Sequence, residues 1–192
     1  MLSISRIAEL ASVIQAHTLI VDEYVSSHRL PSPSFDVSMP PQLHLPETIE
    51  SFATAIIEAT SELHSLLLGL MSFLVHQIDS PHNLISLHAI SRFQIASSFL
   101  IDKETSFVEI ARECQLDEDE IRRIIRHATT NHTFKKPKNG IRVHMAASKA
   151  LVEVPLLREW LQQACDDMWP AASRFVYATV KWSASEEPSQ TA

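Results

Sequence analysis

Glycine is almost missing from this chain of 192 residues: only Gly69 and Gly140 occur, where average usage near 7% would give roughly 13. Nucleotide-binding α/β folds turn from strand to helix on glycines clustered within a few residues, because a backbone without Cβ is needed to approach a phosphate closely. Two glycines so far apart exclude a Rossmann fingerprint, a P-loop and a G-x-S-x-G nucleophile elbow. Cysteine is equally scarce. Cys114 and Cys165 are too few and too distant for a disulfide framework or a cysteine-rich zinc site. Long apolar runs are missing as well. The longest, from Leu66 to Val75, is broken by Gly69 and Ser72 and reaches about half a bilayer span. The opening MLSISRIAEL has no uninterrupted apolar core and meets Glu9 early, unlike a secretory signal. The expectation is a soluble intracellular protein without a membrane segment, in which the N-H-T sequon at Asn131 is a chance match.

What is present fits one globular domain: 45% hydrophobic residues, 20% charged residues and a formal net charge of −7. Such a chain is too apolar for disorder and near the upper size for one core. Ten histidines raise the question of a metal. No H-E-x-x-H occurs, and the closest pairs, His127/His132 and His82/His88, would point about 140° and 120° apart on a helix. Scattered boundary histidines are the simpler account, and no metal site is expected.

Apolar groups at Ile4, Ile7, Leu10, Ala11, Ile14, Thr18, Val21 and Val25 have helical spacing, with Ser3 as the cap. That helix packs either on its own core or on a second copy. Residues 30–46 hold five of the ten prolines and read as an extended crossing loop, with Phe35 and Val37 pinned inward. Glu47 to Ile78 reads as one long helix or two, buried from Leu63 onward. Asp79-Ser80-Pro81 breaks the chain and restarts it, with serine as cap and proline at the first helical position. A further amphipathic helix is expected from Asn83 to Ser98. Thr105 or Ser106 caps a short helix through Phe107, Ile110 and Ala111. After a turn at Cys114-Gln115-Leu116, Asp117 and Glu120 have capping-box spacing before Ile121, Ile124, Ile125 and Ala128. Asn139-Gly140 between Phe134 and the alternating Ile141/Val143 signals a hairpin, both turn residues tolerating positive φ. Helix, turn, helix and hairpin together predict a winged helix-turn-helix. Helices return at Ala146, at Pro155 and at Pro170.

The fold class expected is therefore mainly α. The single domain comprises a helical part (1–98), a winged helix (99–145), C-terminal helices (146–182) and a polar tail (183–192). Charge is uneven. Residues 117–149 carry eight Lys/Arg against four Asp/Glu, and the rest carries eight against nineteen. Arg122, Arg123, Arg126, Lys135, Lys136, Lys138 and Arg142 are thus the candidate contacts for a partner or a nucleic acid. A solvated charged face is the first account of this patch and a docking surface for an acidic protein the second. Direct DNA binding is disfavoured, because Asp117 to Glu120 would meet the phosphates first.

Several segments resemble the fungal O-methyltransferases of secondary-metabolite clusters: Leu87-His88-Ala89-Ile90-Ser91-Arg92-Phe93, Arg122 to Ala128, Phe134-Lys135-Lys136-Pro137, Val143 to Ser148, Met168-Trp169-Pro170-Ala171-Ala172 and the ending from Lys181-Trp182. The resemblance implies the helical, winged-helix dimerisation domain that precedes a Rossmann-type domain holding S-adenosylmethionine and the catalytic histidine. No residue here matches those sites, so no catalytic, cofactor-binding or metal residue is assigned and no cofactor is expected. The family also includes methyltransferase-like transcriptional coactivators of aflatoxin-type polyketide clusters. The leading expectation is such a non-catalytic co-regulator: a homodimer with a transcription-factor partner, acting in the nucleus. The alternative is a truncated or split S-adenosylmethionine-dependent O-methyltransferase, cytoplasmic, whose catalytic domain lies outside this chain. A cofactor-free lyase or cyclase is the third reading, with His88, His127 and His144 as acid–base candidates.

Overall fold

Ser5, extended at φ −70° and ψ 151°, starts the first helix by accepting the Ala8 amide at 3.4 Å. The computed structural model describes residues 4–79 and 81–183. Helix α1 runs Arg6–Ser27, so the cap is Ser5; Ser3, expected in that role, lies outside the described residues, as do Ser80 and the tail from 184 to 192. The chain forms two compact units, Met1–Ser80 and Pro81–Ala192.

In the first unit α1 ends with Arg29 at φ 53°, which lets the Leu30 amide reach the Val25 carbonyl at 2.9 Å, the wrap that satisfies a helix C-terminus. The proline-rich crossing follows, pinned locally where the Asp36 carboxylate accepts the Ser38 amide at 3.0 Å and its hydroxyl at 2.8 Å. Phe35 is 55% exposed, against the expectation that it points inward, while Val37 is half-buried. Helix α2 spans Glu47–Asp79 and runs antiparallel to α1: the Arg6 fork meets Glu62 at 2.7 and 2.6 Å, and the His17 ring meets Phe52 at 5.0 Å. The Arg6 guanidinium holds the Glu62 carboxyl below its usual range. Exposed pairs of this kind contribute little stability but fix register. Within α2, Gly69 takes φ 73° and ψ 161°, a region open essentially to glycine alone, and breaks the helix there. Leu66, Leu67, Leu70, Met71, Leu74, Val75 and Ile78 around and after the break are all exposed. The expected burial from Leu63 onward therefore does not occur among the described residues of the first unit. The residues there are apolar on every side, and two helices offer only one face to cover them.

The second unit holds the packed core. Helix α3, Pro81–Arg92, does not reach Ser98: Gln94 at φ 51° turns the chain into a 3-10 turn at Ile95–Ser97. That turn brings Ile95 (0% exposed) and Ala96 (4%) into the same buried cluster as Ile90. Strand β1, Thr105–Ser106, leads directly into α4, Phe107–Cys114. Here Ser106 caps the Glu109 amide and the Glu109 carboxylate returns to the Ser106 amide at 2.8 Å, a complete capping box. These bonds hold the Glu109 carboxyl below its usual range. Gln115 at φ 55° closes α4, and α5 follows at Glu118–Thr130. The cap of α5 is an Asp117 carboxylate accepting the Asp119 amide at 2.8 Å, rather than the reciprocal Asp117/Glu120 box that the spacing suggests. Ile121 and Ile125, one helical turn apart, are fully buried.

Strands β2 (Phe134–Lys135) and β3 (Ile141–His144) pair antiparallel with Phe134 opposite His144 and Lys135 opposite Val143. The turn is closed by the Ile141 amide on the Lys138 carbonyl at 3.3 Å, and only Gly140 has positive φ, +78°. Asn139 stays in the ordinary region, so the turn is not the tight two-residue type that the Asn-Gly pair suggests. β1 adds to the free side of β3, giving the order β1-β3-β2. A two-residue strand has no readable alternation, which is why the sequence marks Thr105 and Ser106 only as cap candidates. Helices α6 (Ala146–Glu153), α7 (Pro155–Gln163) and α8 (Trp169–Lys181) complete the unit. A π-helical turn at Ala164–Met168 joins α7 to α8. Pro170 cannot donate to the preceding turn, and a widened turn just before it accommodates that loss. The structure is mainly helical, with this three-stranded sheet.

Candidate functional site

The basic residues of 117–149 do not form one surface. Arg142, on the central strand, is 2% exposed. Its guanidinium lies over the Phe107 ring at 4.3 Å, and its Nη1 donates to the Ile141 carbonyl at 2.6 Å. Burial first, then the positive charge of Arg126, pushes this guanidinium below its usual range. As a contact on the outer surface Arg142 is thereby excluded, because alternation along β3 turns it inward, and it can meet only what enters the cavity it lines. Arg122 is held by Glu118 one turn earlier and by Asp119 at 3.6 Å, and its guanidinium stands over the Phe107 ring at 5.5 Å from the centroid. Lys138 pairs with Glu104 at 2.9 Å. Arg123, Arg126, Lys135 and Lys136 are exposed.

Arg122, Arg126, Lys136 and Arg142 line one cavity of about 420 Å³ between α4, α5 and the hairpin tip, with Glu118 as its one carboxylate and Phe107 and Val108 as its apolar wall. Sequence reasoning found these four cations by charge but missed the cavity, because the cation–aromatic stack that shapes it joins residues remote in sequence. Alternation at Ile141, Arg142 and Val143 separates Arg142 from its neighbours but does not say that Arg142 takes the buried side.

The three acid–base candidates are separate. His88 Nε2 lies 2.9 Å from the Asp166 carboxylate, tying α3 to the π-helical turn. His127 Nδ1 lies 2.7 Å from the Ser86 hydroxyl. His144 is 3% exposed, stacked at 4.2 Å on Phe99, with Nε2 donating to the Phe99 carbonyl at 3.4 Å and Nδ1 3.0 Å from the Ser148 hydroxyl. That arrangement satisfies a neutral imidazole, and burial lowers its pKa. Each histidine is engaged by a different element, and no two converge on a shared reacting position.

Neither glycine forms the loop on which a nucleoside-binding fold turns. Gly69 breaks α2 and Gly140 turns the hairpin, so neither stands at a strand-to-helix junction. β1 does run straight into α4, but the amide there is taken by Glu109. Among the described residues there is no group of three or more His, Cys, Asp or Glu placed to hold a metal ion, and no helix is long and apolar enough to cross a membrane.

Apolar surface is the other prominent feature. Besides the distal part of α2, helix α8 exposes Phe175, Val176, Tyr177 and Val180 and buries none of its residues, while α7 exposes Leu156 and Trp160.

Comparison with known proteins gives a consistent answer. No family model matches the chain. It is 36% identical over 190 residues to O-methyltransferase kk1A of Curvularia clavata, covering 98% of this chain and 45% of that protein. It is 37% identical over 172 residues to the grayanic acid biosynthesis cluster O-methyltransferase of Cladonia grayi, covering 89% and 37%. Thus the relatives of this chain are fungal O-methyltransferases that match it nearly end to end, and it spans less than half of their length. Among solved structures it superimposes on OxaC with a TM-score of 0.66 at 13% identity, over 92% of this chain and 41% of that one. It superimposes on LepI in complex with SAM with a TM-score of 0.62, also at 13% identity, over 89% and 39%. At such identities these structures establish the shared fold, and a fold by itself does not choose a reaction.

Proposed function

We propose that this chain is the helical, non-catalytic portion of a fungal secondary-metabolite O-methyltransferase, in which the methyl donor is held by protein outside these 192 residues. The observation that carries the reading is the near-complete coverage of this chain, at 36% identity, by an O-methyltransferase of which it accounts for 45%. The glycine placement supports it, since neither Gly69 nor Gly140 stands at the strand-to-helix turn on which a Rossmann-type donor site is built. Within this reading, α4, α5 and the β2–β3 hairpin form a winged helix-turn-helix used for shaping the domain rather than for reading DNA. The uncovered apolar faces of α2 and α8 support a homodimer, because monomeric soluble proteins seldom leave contiguous apolar surface of this kind in water.

The co-regulator expectation, with its transcription-factor partner and nuclear location, gains no support: the relatives compared are named as O-methyltransferases. The alternative drawn from the sequence is the better one. Calorimetry with S-adenosylmethionine tests it. The 192-residue chain alone is expected to give no binding heat, and a polypeptide extended through a catalytic portion is expected to bind the donor and to methylate a hydroxyl oxygen. Saturable donor binding by the short chain would overturn the reading.

A further inference from the structure

The cavity between α4, α5 and the hairpin tip has no part in methyl transfer as proposed above. We propose that it is a binding site for a phosphate monoester dianion carried on a small, partly apolar body. This inference rests on the second unit alone and stands independently of the methyltransferase reading.

Three observations carry it. First, the lining is unbalanced: Arg122, Arg126, Lys136 and Arg142 face one carboxylate, Glu118, which is already engaged by Arg122. Arg126 and Lys136 make no ion pair or hydrogen bond among the described residues. Second, Arg142 is 2% exposed, yet its Nε is buried with no hydrogen-bond partner, whereas the Nε of Arg122 has the Asp119 carboxylate 3.6 Å away. Stacking on Phe107 offsets part of the cost of a buried guanidinium but supplies no acceptor for that N–H. A buried cation beside a second cation is held against both desolvation and repulsion, and an anion entering the cavity relieves both. Third, the shape is right. A volume of about 420 Å³ exceeds what a bare ion fills, and Phe107 and Val108 provide an apolar wall beside the charges.

The charge count favours a dianion over a single carboxylate, because three cations remain after the Glu118–Arg122 pair is set aside. Guanidinium forks match the oxygens of a phosphate by paired, charge-assisted hydrogen bonds. A nucleic-acid backbone fits less well: its diesters carry one charge each, and Glu118, Asp119 and Glu120 crowd the first turn of α5.

The test is calorimetric titration of the full chain at constant ionic strength with inorganic phosphate, phenyl phosphate, a phosphoserine peptide, benzoate and duplex DNA. Saturable binding of phenyl phosphate is expected, at least tenfold tighter than benzoate. Arg126→Gln and Lys136→Gln, both at exposed positions, are each expected to weaken it about tenfold, and Lys135→Gln, outside the cavity, is expected to leave it unchanged. Phenyl phosphate binding tighter than the peptide would assign a small metabolite, and the reverse would assign a phosphorylated protein segment. Equal binding of benzoate and phenyl phosphate would overturn the proposal. Equal losses in all three variants would do the same, as would duplex binding at micromolar concentration with a steep salt dependence.

Discussion

Phe134 shows how a single residue ties the second unit together. It is fully buried, begins β2, and stands 6.0 Å from the Phe99 ring and 5.8 Å from the His144 ring. Truncation removes the central member of that cluster, so Phe134→Ala is expected to cost about 3–5 kcal/mol in urea unfolding; a loss below 1 kcal/mol would show that the site collapses without it. His144 adds a pH dependence. Its folded pKa lies below the ordinary 6.5, chiefly through burial. Between those two values the unfolded chain binds the extra proton, so stability rises with pH across that window. The contribution is full above about pH 6.5 and is lost as the pH falls toward the folded value. Urea midpoints at neutral and mildly acidic pH are therefore expected to fall further for the native chain than for His144→Asn; identical falls would remove His144 as the cause.

At the scale of elements, boundaries were legible wherever a side chain acts within its own turn. The Ser106–Glu109 box, the Gln115 turn and the Pro155 start all follow from residues a few positions apart. Boundaries were misread where two local solutions compete. Asp117 bonds the amide of Asp119 rather than forming a box with Glu120, and Asn139 keeps negative φ because the pairing of Phe134 with His144 fixes a longer loop. Gly69 is a case left open rather than misread: Glu47 to Ile78 reads as one helix or two, and a lone glycine in a helical pattern does not decide between them. With φ 73° and ψ 161° and nothing within 4 Å of an added Cβ, Gly69→Ala meets only backbone strain. It is expected to destabilise the first unit by roughly 1–3 kcal/mol. A gain in thermal stability would mean that the helix runs straight in solution.

For the whole molecule the decisive fact is what stays uncovered. Leu70 is 86% exposed, Leu74 59% and Val180 79%, and covering such a side chain contributes about 1.5–3 kcal/mol each. If a second copy provides the cover, every substitution counts twice across a twofold interface. Light scattering is expected to report a dimer at micromolar concentration, with thermal stability rising with protein concentration. Leu70→Glu with Leu74→Glu is expected to weaken association at least tenfold. A monomeric native chain at those concentrations would refute this.

The sequence by itself determined the helical class, the hairpin, most helix starts and the exclusion of glycine-loop chemistry, because caps, periodicity and φ preferences act over a few residues. Tertiary structure alone decided that Arg142 is buried against Phe107, that His88 meets Asp166 and His127 meets Ser86, and that β1 completes the sheet. Those contacts join positions 35 to 78 residues apart, and no local propensity encodes which distant groups a packed core brings together. The same reason explains the apolar end of α2: composition marks it for burial, but only packing shows that within the first unit it stays exposed.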